Sequence, residues 1–443
     1  MARIVFIGAG SVVFTRNLVR DILTFAELDG SELILMDIHA ERLKKIEQLV
    51  KKLIAVTGRR VTVRATMDRR EALTGADYVM VTIRVGGTAA WKINIDIPAR
   101  YGVSQCVGDT LGPAGIFAGL RHLAVVDEIT HDMEEVCPHA FVLQYSNPMA
   151  ILTWCMTQSS IPTVGLCHSV QGTAKMLAEF CDVPAAEISY WVAGINHQAW
   201  FLRLEHQGHD LYPRLRAHLH NPKSLAAEPV RFELMRRFGY FVTESSRHAS
   251  EYYAYFRKRP DLLDRLLASF ITSTGQPEGE GYGRTGEFVE RAIRREADYE
   301  KTIQNQIQGI EPIEVRRSDE YGARIIHAIE TGSTLRINGN VANTGLITNL
   351  PANSCVEVPC LVDRTGIHPC SVGALPPQLA AHNRNSIAVQ ELTVQGHLER
   401  SRERIFQAMA LDPLTAAVCS LDEIAHLTEE MFAANEPWLP QFH

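Results

Sequence analysis

Arg3-Ile4-Val5-Phe6-Ile7 runs straight into Gly8-Ala9-Gly10-Ser11, and further along Leu33-Ile34-Leu35-Met36 ends in Asp37. The first apolar run reads as a buried strand, the small residues as a tight strand-to-helix turn, and Val12 to Leu28 as a helix by its periodicity. In that setting the glycines let the backbone approach a pyrophosphate, and the helix N-terminus attracts its charge. Asp37, at the end of the second strand, is placed to accept hydrogen bonds from a ribose diol and to repel a 2′-phosphate, which favours NAD over NADP. Gly8, Gly10, Ser11 and Asp37 are therefore the candidate cofactor-binding residues. A turn with no ligand would carry the same glycines, and Val13 stands where the usual fingerprint has a third one.

Working outward, strand and helix patterns keep alternating. An amphipathic helix fits Ala40 to Val56, strands fit Val61 to Ala65 and Tyr78 to Ile83, a long helix fits Gly115 to Val136, and a strand follows from Phe141 to Tyr145. That order calls for βαβ units and a parallel sheet. From about residue 187 the pattern changes. Ile188 to Val192 and Ala199 to Leu204 read as antiparallel strands, 225 to 270 and 285 to 332 as mainly helical, Leu335 to Pro376 as strand-prone, and Gln378 to Phe432 as helical. The fold class expected is α/β: a Rossmann-like doubly wound parallel sheet with an appended α+β domain, an architecture like that of lactate and malate dehydrogenases. Residues 1–186 are assigned to the NAD-binding domain and 187–443 to a domain for substrate and metal binding and oligomerisation. The glycine-rich stretch from Thr274 to Thr285 reads as a loop over a site.

A chain of 443 residues exceeds what one core usually serves, in keeping with two packed domains. The net charge of −7 comes from interspersed charges, which argues against nucleic acid or an anionic membrane as partner. No apolar run is long enough to span a membrane, and the first residues read as a strand rather than a signal peptide, so a cytoplasmic protein is expected. Nine cysteines without CxxC spacing point to reduced, mostly buried thiols rather than disulfides.

Further polar groups gather where strands end. Val164-Gly165-Leu166 leads into Cys167-His168-Ser169, and Ala193-Gly194-Ile195 into Asn196-His197. A thiolate and an imidazole can share a borderline divalent ion such as Mn²⁺, Fe²⁺, Co²⁺ or Zn²⁺. A buried inert Cys167 and a hydrogen-bonded His197 are the plainer reading of these two residues taken alone. Gly239 to Tyr253 mixes aromatic and ionisable residues; it suits an aromatic-rich packing helix, or a tyrosine base if positive charge lowers its pKa from near 10. Asp109-Thr110-Leu111-Gly112 and Tyr145-Ser146-Asn147-Pro148 suit contacts to nicotinamide or substrate, and equally a turn and a helix cap.

Taken together these stretches resemble the NAD- and metal-dependent glycoside hydrolases of family 4. The likeness runs through Gly8–Ser11, Asp109–Gly115, Asn147–Met149, Gly165–Val170, Gly194–His197, His248–Tyr252, Asn349–Pro351 and Val356–Pro359 to Val372–Pro376, and so spans nearly the whole chain. Within that family, Cys167-His168-Ser169-Val170 is similar to the α-galactosidase (melibiase) group. The resemblance implies Cys167 and His197 as Mn²⁺ ligands and His168 as proton donor, at a position where relatives acting on phosphorylated sugars carry an acidic residue. It implies Tyr252, or Tyr253 one position on, as the base. Asn147, Asp109 and His248 are implied in substrate binding, with Asn147 also near the cofactor.

The implied activity is hydrolysis of terminal α-galactosides such as melibiose. The implied route is oxidation at C3 by NAD, C2 deprotonation, elimination, water addition and re-reduction, which needs no opposed carboxylate pair. The alternatives are another unphosphorylated α-glycoside, either an α-glucoside or an α-galacturonide, or an NAD-dependent 2-hydroxy acid dehydrogenase. A homodimer or homotetramer is implied as well.

Overall fold

A computed structural model describes residues 2–270 and 281–443. Six parallel strands form its centre: β1 (Arg3–Ile7), β2 (Glu32–Met36), β3 (Thr62–Thr66), β4 (Tyr78–Val81), β5 (Phe141–Gln144) and β6 (Thr163–Gly165). They lie in the order β3-β2-β1-β4-β5-β6, the strand order of a doubly wound nucleotide-binding sheet. β1, β2 and β4 are buried on both faces, which explains their unbroken apolar runs. Helices Val12–Ile22, Ala40–Thr57 and Gly112–Val136 make the crossovers close to where the periodicity places them. Helix Gly87–Arg100 was not anticipated, and Pro98 lies in its last turn.

The sheet does not stop at β6. It continues through β10 (Leu335–Ala342), β11 (Cys355–Asp363), β7 (Ile188–Ile195), β8 (Gln198–His206) and β9 (His209–Asp210), all antiparallel, with β12 (Gly366–Pro369) paired to β11. Strands from both sides of residue 187 thus belong to one sheet, and one hydrophobic core reaches from Ala2 to Phe442. A smaller cluster, including Leu177, Phe201, Phe232 and Phe241, fills the space beyond β7 and β8.

The register of this extension positions chemistry. Gly165 pairs with Asn340, Asn340 with Glu357, and Glu357 with Gly194, a single row across four strands. Cys167 follows Gly165 and His197 follows Gly194 at the ends of their strands, so two residues thirty positions apart leave the sheet at the same edge.

The region 225–270 is less helical than expected. Pro222–Ala227, Pro229–Phe238 and Pro260–Ser269 are helices, but between Gly239 and Arg259 only Ser246–Ala249 is. The reading of Gly239–Tyr253 as an aromatic packing helix is corrected accordingly. Its mixed spacing was the sign of an irregular segment, one held by side-chain hydrogen bonds instead of a backbone ladder. Most of the glycine-rich stretch 274–285 lies outside the described residues. Among those described, no helix is long and apolar enough to cross a membrane.

Candidate active site

Two groups of residues meet along the carboxyl ends of the parallel strands, the edge where open α/β sheets take ligands. The first is the glycine turn after β1. The N–H groups of Gly8 and Ala9 both donate to the Met36 carbonyl, at 3.0 and 2.9 Å, and Gly10 N–H donates to Asp37 Oδ2 at 2.7 Å. Gly8 has φ +83°, and a Cβ on it would come 2.9 Å from the backbone of Thr82. A Cβ on Gly10 would come 2.6 Å from Asp37 Oδ2, so a side chain at either position would disrupt the turn. The helix that follows begins at Val12, with Ser11 as its N-cap residue making no side-chain cap bond.

A cleft opens from this turn. It is lined by Ser11, Thr82, Arg84, Trp91, Arg121 and Asn147 among others. Arg84 stacks over the Trp91 ring at 4.7 Å. A glycine turn at a helix start, a carboxylate at the end of β2 and two guanidinium groups along the cleft fit a dinucleotide with its pyrophosphate.

The second group is a buried polar cluster drawn from four separated segments. His197 is the second residue of the two-residue turn between β7 and β8 and has φ +63°, unusual for a non-glycine residue. Its Nε2 lies 3.4 Å from Cys167 Sγ and 3.3 Å from Glu244 Oε2. Its Nδ1 lies 3.0 Å from Thr110 Oγ1 and 3.1 Å from the Tyr252 hydroxyl. The same hydroxyl meets His248 Nε2 at 2.8 Å, and His248 Nε2 faces Asp109 Oδ1 at 3.2 Å. Asp109 Oδ2 accepts from Asn147 Nδ2 at 2.9 Å, which joins the cluster to the cleft. Glu244 has φ +71°, so the facing residues Glu244 and His197 both sit in the left-handed region, as strained residues at functional sites often do.

Charge in the cluster is balanced between acids and imidazoles. Burial alone would raise Glu244, but the facing imidazoles of His197 and His248 bring it down to about 2. Burial also opposes charge on His248, and Asp109, followed by Glu251 and Glu244, moves it above its ordinary value. For the contacting pair Cys167 and His197, burial opposes both charged forms, yet His197 holds the thiol below its usual range, and the Glu244 carboxylate first and then the Cys167 sulfur hold the imidazole above its own. Tyr252 moves the other way: burial, and then the acids Glu244 and Asp109, push its hydroxyl well above 10.

A thiol and an imidazole already converging within 3.4 Å suit a borderline divalent cation. Asp109, His197 and His248 each bring a ligand atom within 4.8 Å of the others, so the same pocket offers carboxylate and further nitrogen donors.

The structure therefore brings together Cys167, His197, His248, Asp109, Asn147 and Tyr252, residues drawn from both halves of the sequence. Tyr252 and Tyr253 part company: the Tyr253 ring packs against Trp200 and His382, away from the cluster's hydrogen bonds. His168 stands at the rim, largely exposed, with Nδ1 3.6 Å from Glu320 Oε1. Gly8, Gly10, Ser11 and Asp37 lie together at the first group. Glu244 and Thr110 in the cluster, and Arg84 and Arg121 along the cleft, were not among the residues the sequence singled out as candidates. Glu244 and Thr110 lie inside stretches already singled out, but nothing in one-dimensional spacing says that they face His197.

Two family models cover the chain, "Family 4 glycosyl hydrolase" over residues 3–183 and "Family 4 glycosyl hydrolase C-terminal domain" over residues 192–415. The chain is 41% identical to an α-galactosidase of Bacillus subtilis (strain 168), over 100% of both chains. It is 37% identical to an α-galactosidase of Rhizobium meliloti (strain 1021), over 99% of this chain and 89% of that one. Among solved structures, the 6-phospho-β-glucosidase of Thermotoga maritima with manganese, NAD⁺ and glucose-6-phosphate superposes with a TM-score of 0.81 at 22% identity, over 100% of both chains. With both models matched in order and full-length identity above 40%, this chain belongs to the family 4 glycosyl hydrolases and is a glycosidase.

Proposed function

We propose that the protein hydrolyses terminal α-galactosides such as melibiose, with NAD and a divalent cation, Mn²⁺ foremost, as cofactors. The observation that carries this reading is the contact chain Cys167–His197–Tyr252, a metal-type donor pair touching a tyrosine hydroxyl beside the dinucleotide cleft. The sugar is chosen by the likeness to two α-galactosidases, together with Cys167-His168-Ser169-Val170. The runner-up sugars are an α-glucoside and an α-galacturonide, since relatives at 31% and 28% identity carry those names.

In this reading Gly8, Gly10 and Ser11 cradle the pyrophosphate, Asp37 accepts from the ribose hydroxyls, and Arg84 and Arg121 balance the phosphate charge along the cleft. Cys167 and His197 hold the cation, with Asp109 and His248 beside them. When bound, the nicotinamide supplies a hydride acceptor and donor for the sugar C3, and the cation supplies a Lewis acid for the sugar oxygens. Asn147, Asp109 and His248 orient the sugar. Tyr252 takes the proton from C2; its hydroxyl, held above its ordinary value by burial and then by Glu244 and Asp109, lies against the imidazoles of His197 and His248. His168, at the rim near Glu320, donates a proton to the departing oxygen on C1. The net reaction is hydrolysis with no accumulation of reduced cofactor. We place it in the cytoplasm as a homodimer or homotetramer; a thiol ligand needs a reducing compartment, and all nine cysteines are free.

Turnover of an α-galactoside in D₂O tests the reading. Deuterium is expected at C2 of the released galactose, and a product with hydrogen alone at C2 would overturn the deprotonation by Tyr252. Stoichiometric build-up of NADH would instead favour a simple dehydrogenase. Relative rates on p-nitrophenyl α-galactoside, α-glucoside and α-galacturonide settle the sugar.

A further inference from the structure

Tyr252 is preceded by a buried carboxylate that the reaction scheme does not use. Glu251 is 3% exposed, and both of its oxygens accept backbone N–H groups from one short run of chain. Cys106 and Val107 donate to Oε1 at 2.9 and 2.7 Å, and Gly108 donates to Oε2 at 3.0 Å. The Cys106 thiol donates to the same Oε1 at 3.0 Å. Successive amides converging on an anion form a nest, and bonds to an ionised acceptor are among the strong ones. Here the anion is the protein's own side chain.

The run it grips leads directly into Asp109 and Thr110. Thr110 Oγ1 meets His197 Nδ1 at 3.0 Å, and Asp109 Oδ1 meets His248 Nε2 at 3.2 Å. Those two imidazoles are the groups that touch the Tyr252 hydroxyl. Arg257, further along, ties the same two stretches with bonds to Ser250 Oγ at 2.6 Å and Ser104 Oγ at 3.1 Å. The peptide that presents the tyrosine thus also holds the loop that orients the tyrosine's partners, although the two stretches are about 145 residues apart in sequence.

Resting on the assignment of Tyr252 as base, we propose that Glu251 is a positioning residue for proton transfer at C2. It fixes the 106–110 loop in register with the Tyr252 segment, so that His197 and His248 both reach the tyrosine hydroxyl. A carboxylate that only helped the segment to fold would affect stability and every ligand alike. A positioning group should affect the proton-transfer step above the rest.

Glu251→Gln keeps the size but turns an N–H₂ towards one of the donors, and Glu251→Asp keeps the charge but is a methylene short of the nest. For E251Q, kcat is expected to fall about 10–100-fold, the scale of an ångström misplacement. The Kd for NAD⁺ should stay within about twofold, kcat should fall further than the galactoside KM rises, and the isotope effect with C2-deuterated substrate should exceed that of the wild type. E251D should shift the same way by less. Combined with Thr110→Val, the losses should multiply to less than their product, because both act through one loop. The proposal is overturned by an unchanged kcat and isotope effect, by parallel loss of kcat, cofactor affinity and melting temperature, or by fully multiplicative effects with T110V. If E251Q does not fold, E251D is put through the same measurements, and the same outcomes support or overturn the proposal. Deuterium uptake is read on the unaltered enzyme, so failure of the base assignment and failure of this proposal are told apart.

Discussion

The glycine turn after β1 and the polar cluster after β6 share one sheet edge and are built on opposite principles. The turn is made by consecutive residues acting through backbone, with Gly8, Ala9 and Gly10 donating N–H groups to Met36 and Asp37. The cluster is made by side chains from four distant segments, and its geometry exists only once β6, β7 and the irregular stretch after Phe241 are packed together. Their charge also differs. Two arginines line the cleft beside the turn, while Asp109 and Glu244 face the imidazoles of the cluster. One end suits phosphates and the other suits a cation, so a substrate between them meets a hydride site and a Lewis acid at once.

Substitution of Cys167 should separate the two regions most sharply. Cys167→Ser removes the soft donor at 3.4 Å from His197 without touching the glycine turn. Loss of cation-borne charge stabilisation worth about 4 kcal/mol predicts a fall in activity of about a thousandfold. NAD⁺ binding, followed by calorimetry, should stay within about twofold. Retention of full metal-dependent activity would remove Cys167 from the proposed ligand set.

Next in size is the reciprocal change at the turn. Asp37 holds Gly10 N–H at 2.7 Å and His39 N–H at 2.9 Å while facing the proposed ribose position. Replacing it with Ala removes a charge-assisted bond to the ribose of about 1.5–3 kcal/mol, so NAD⁺ affinity should fall about 10–100-fold. Discrimination against NADP⁺ should relax, while Mn²⁺ affinity measured without nucleotide should not change. A matching drop in Mn²⁺ affinity would show that the two regions are one cooperative unit.

The same contrast explains what could be read from sequence. Gly8, Gly10 and Asp37 were legible because a local backbone motif keeps its spacing in every such turn. The parallel sheet followed from apolar runs alternating with periodic helices. His197 was legible only as the end of a strand, since its contact with Cys167 depends on the row Gly165–Asn340–Glu357–Gly194, whose register no local pattern encodes. The antiparallel continuation of the sheet was hidden for the same reason: β10 and β11 come late in the chain yet insert between β6 and β7. Glu244 and Glu251 looked like ordinary acids in an aromatic stretch because their partners lie on loops. Telling which of Tyr252 and Tyr253 meets the cluster needed the backbone itself, as adjacent residues of an irregular segment can point to different sides.

The smallest expected effect is on stability, and it concerns histidines held neutral. His122, buried in the wall of the cleft, donates from Nδ1 to the Ala118 carbonyl at 2.7 Å and accepts at Nε2 from Val85 N–H at 3.1 Å. A proton on Nε2 would face that N–H, and burial, with Arg121 next, pushes the ring down to about 3. His397, in helix Pro377–Glu399, is pushed down to about 4 by burial and then by Arg400, which donates to its Nδ1 at 2.9 Å. Both folded values lie below the unfolded value of about 6.5, so below that pH the unfolded chain binds protons the folded chain refuses. Their contribution is therefore whole above about pH 6.5, shrinks as acid is added, and is used up by about pH 4 for His397 and pH 3 for His122. Each group gives a slope of up to about 1.4 kcal/mol per pH unit within its window. His397→Gln, distant from both ligand sites, isolates one of them. The wild type should lose more melting temperature than H397Q between pH 6.5 and 4.5, by a few degrees at most. Above pH 7.5 the difference between the two should be constant. Parallel curves across the acid range would mean that His397 is protonated in the folded protein, and that burial beside Arg400 does not hold its ring neutral as it does the one beside Arg121.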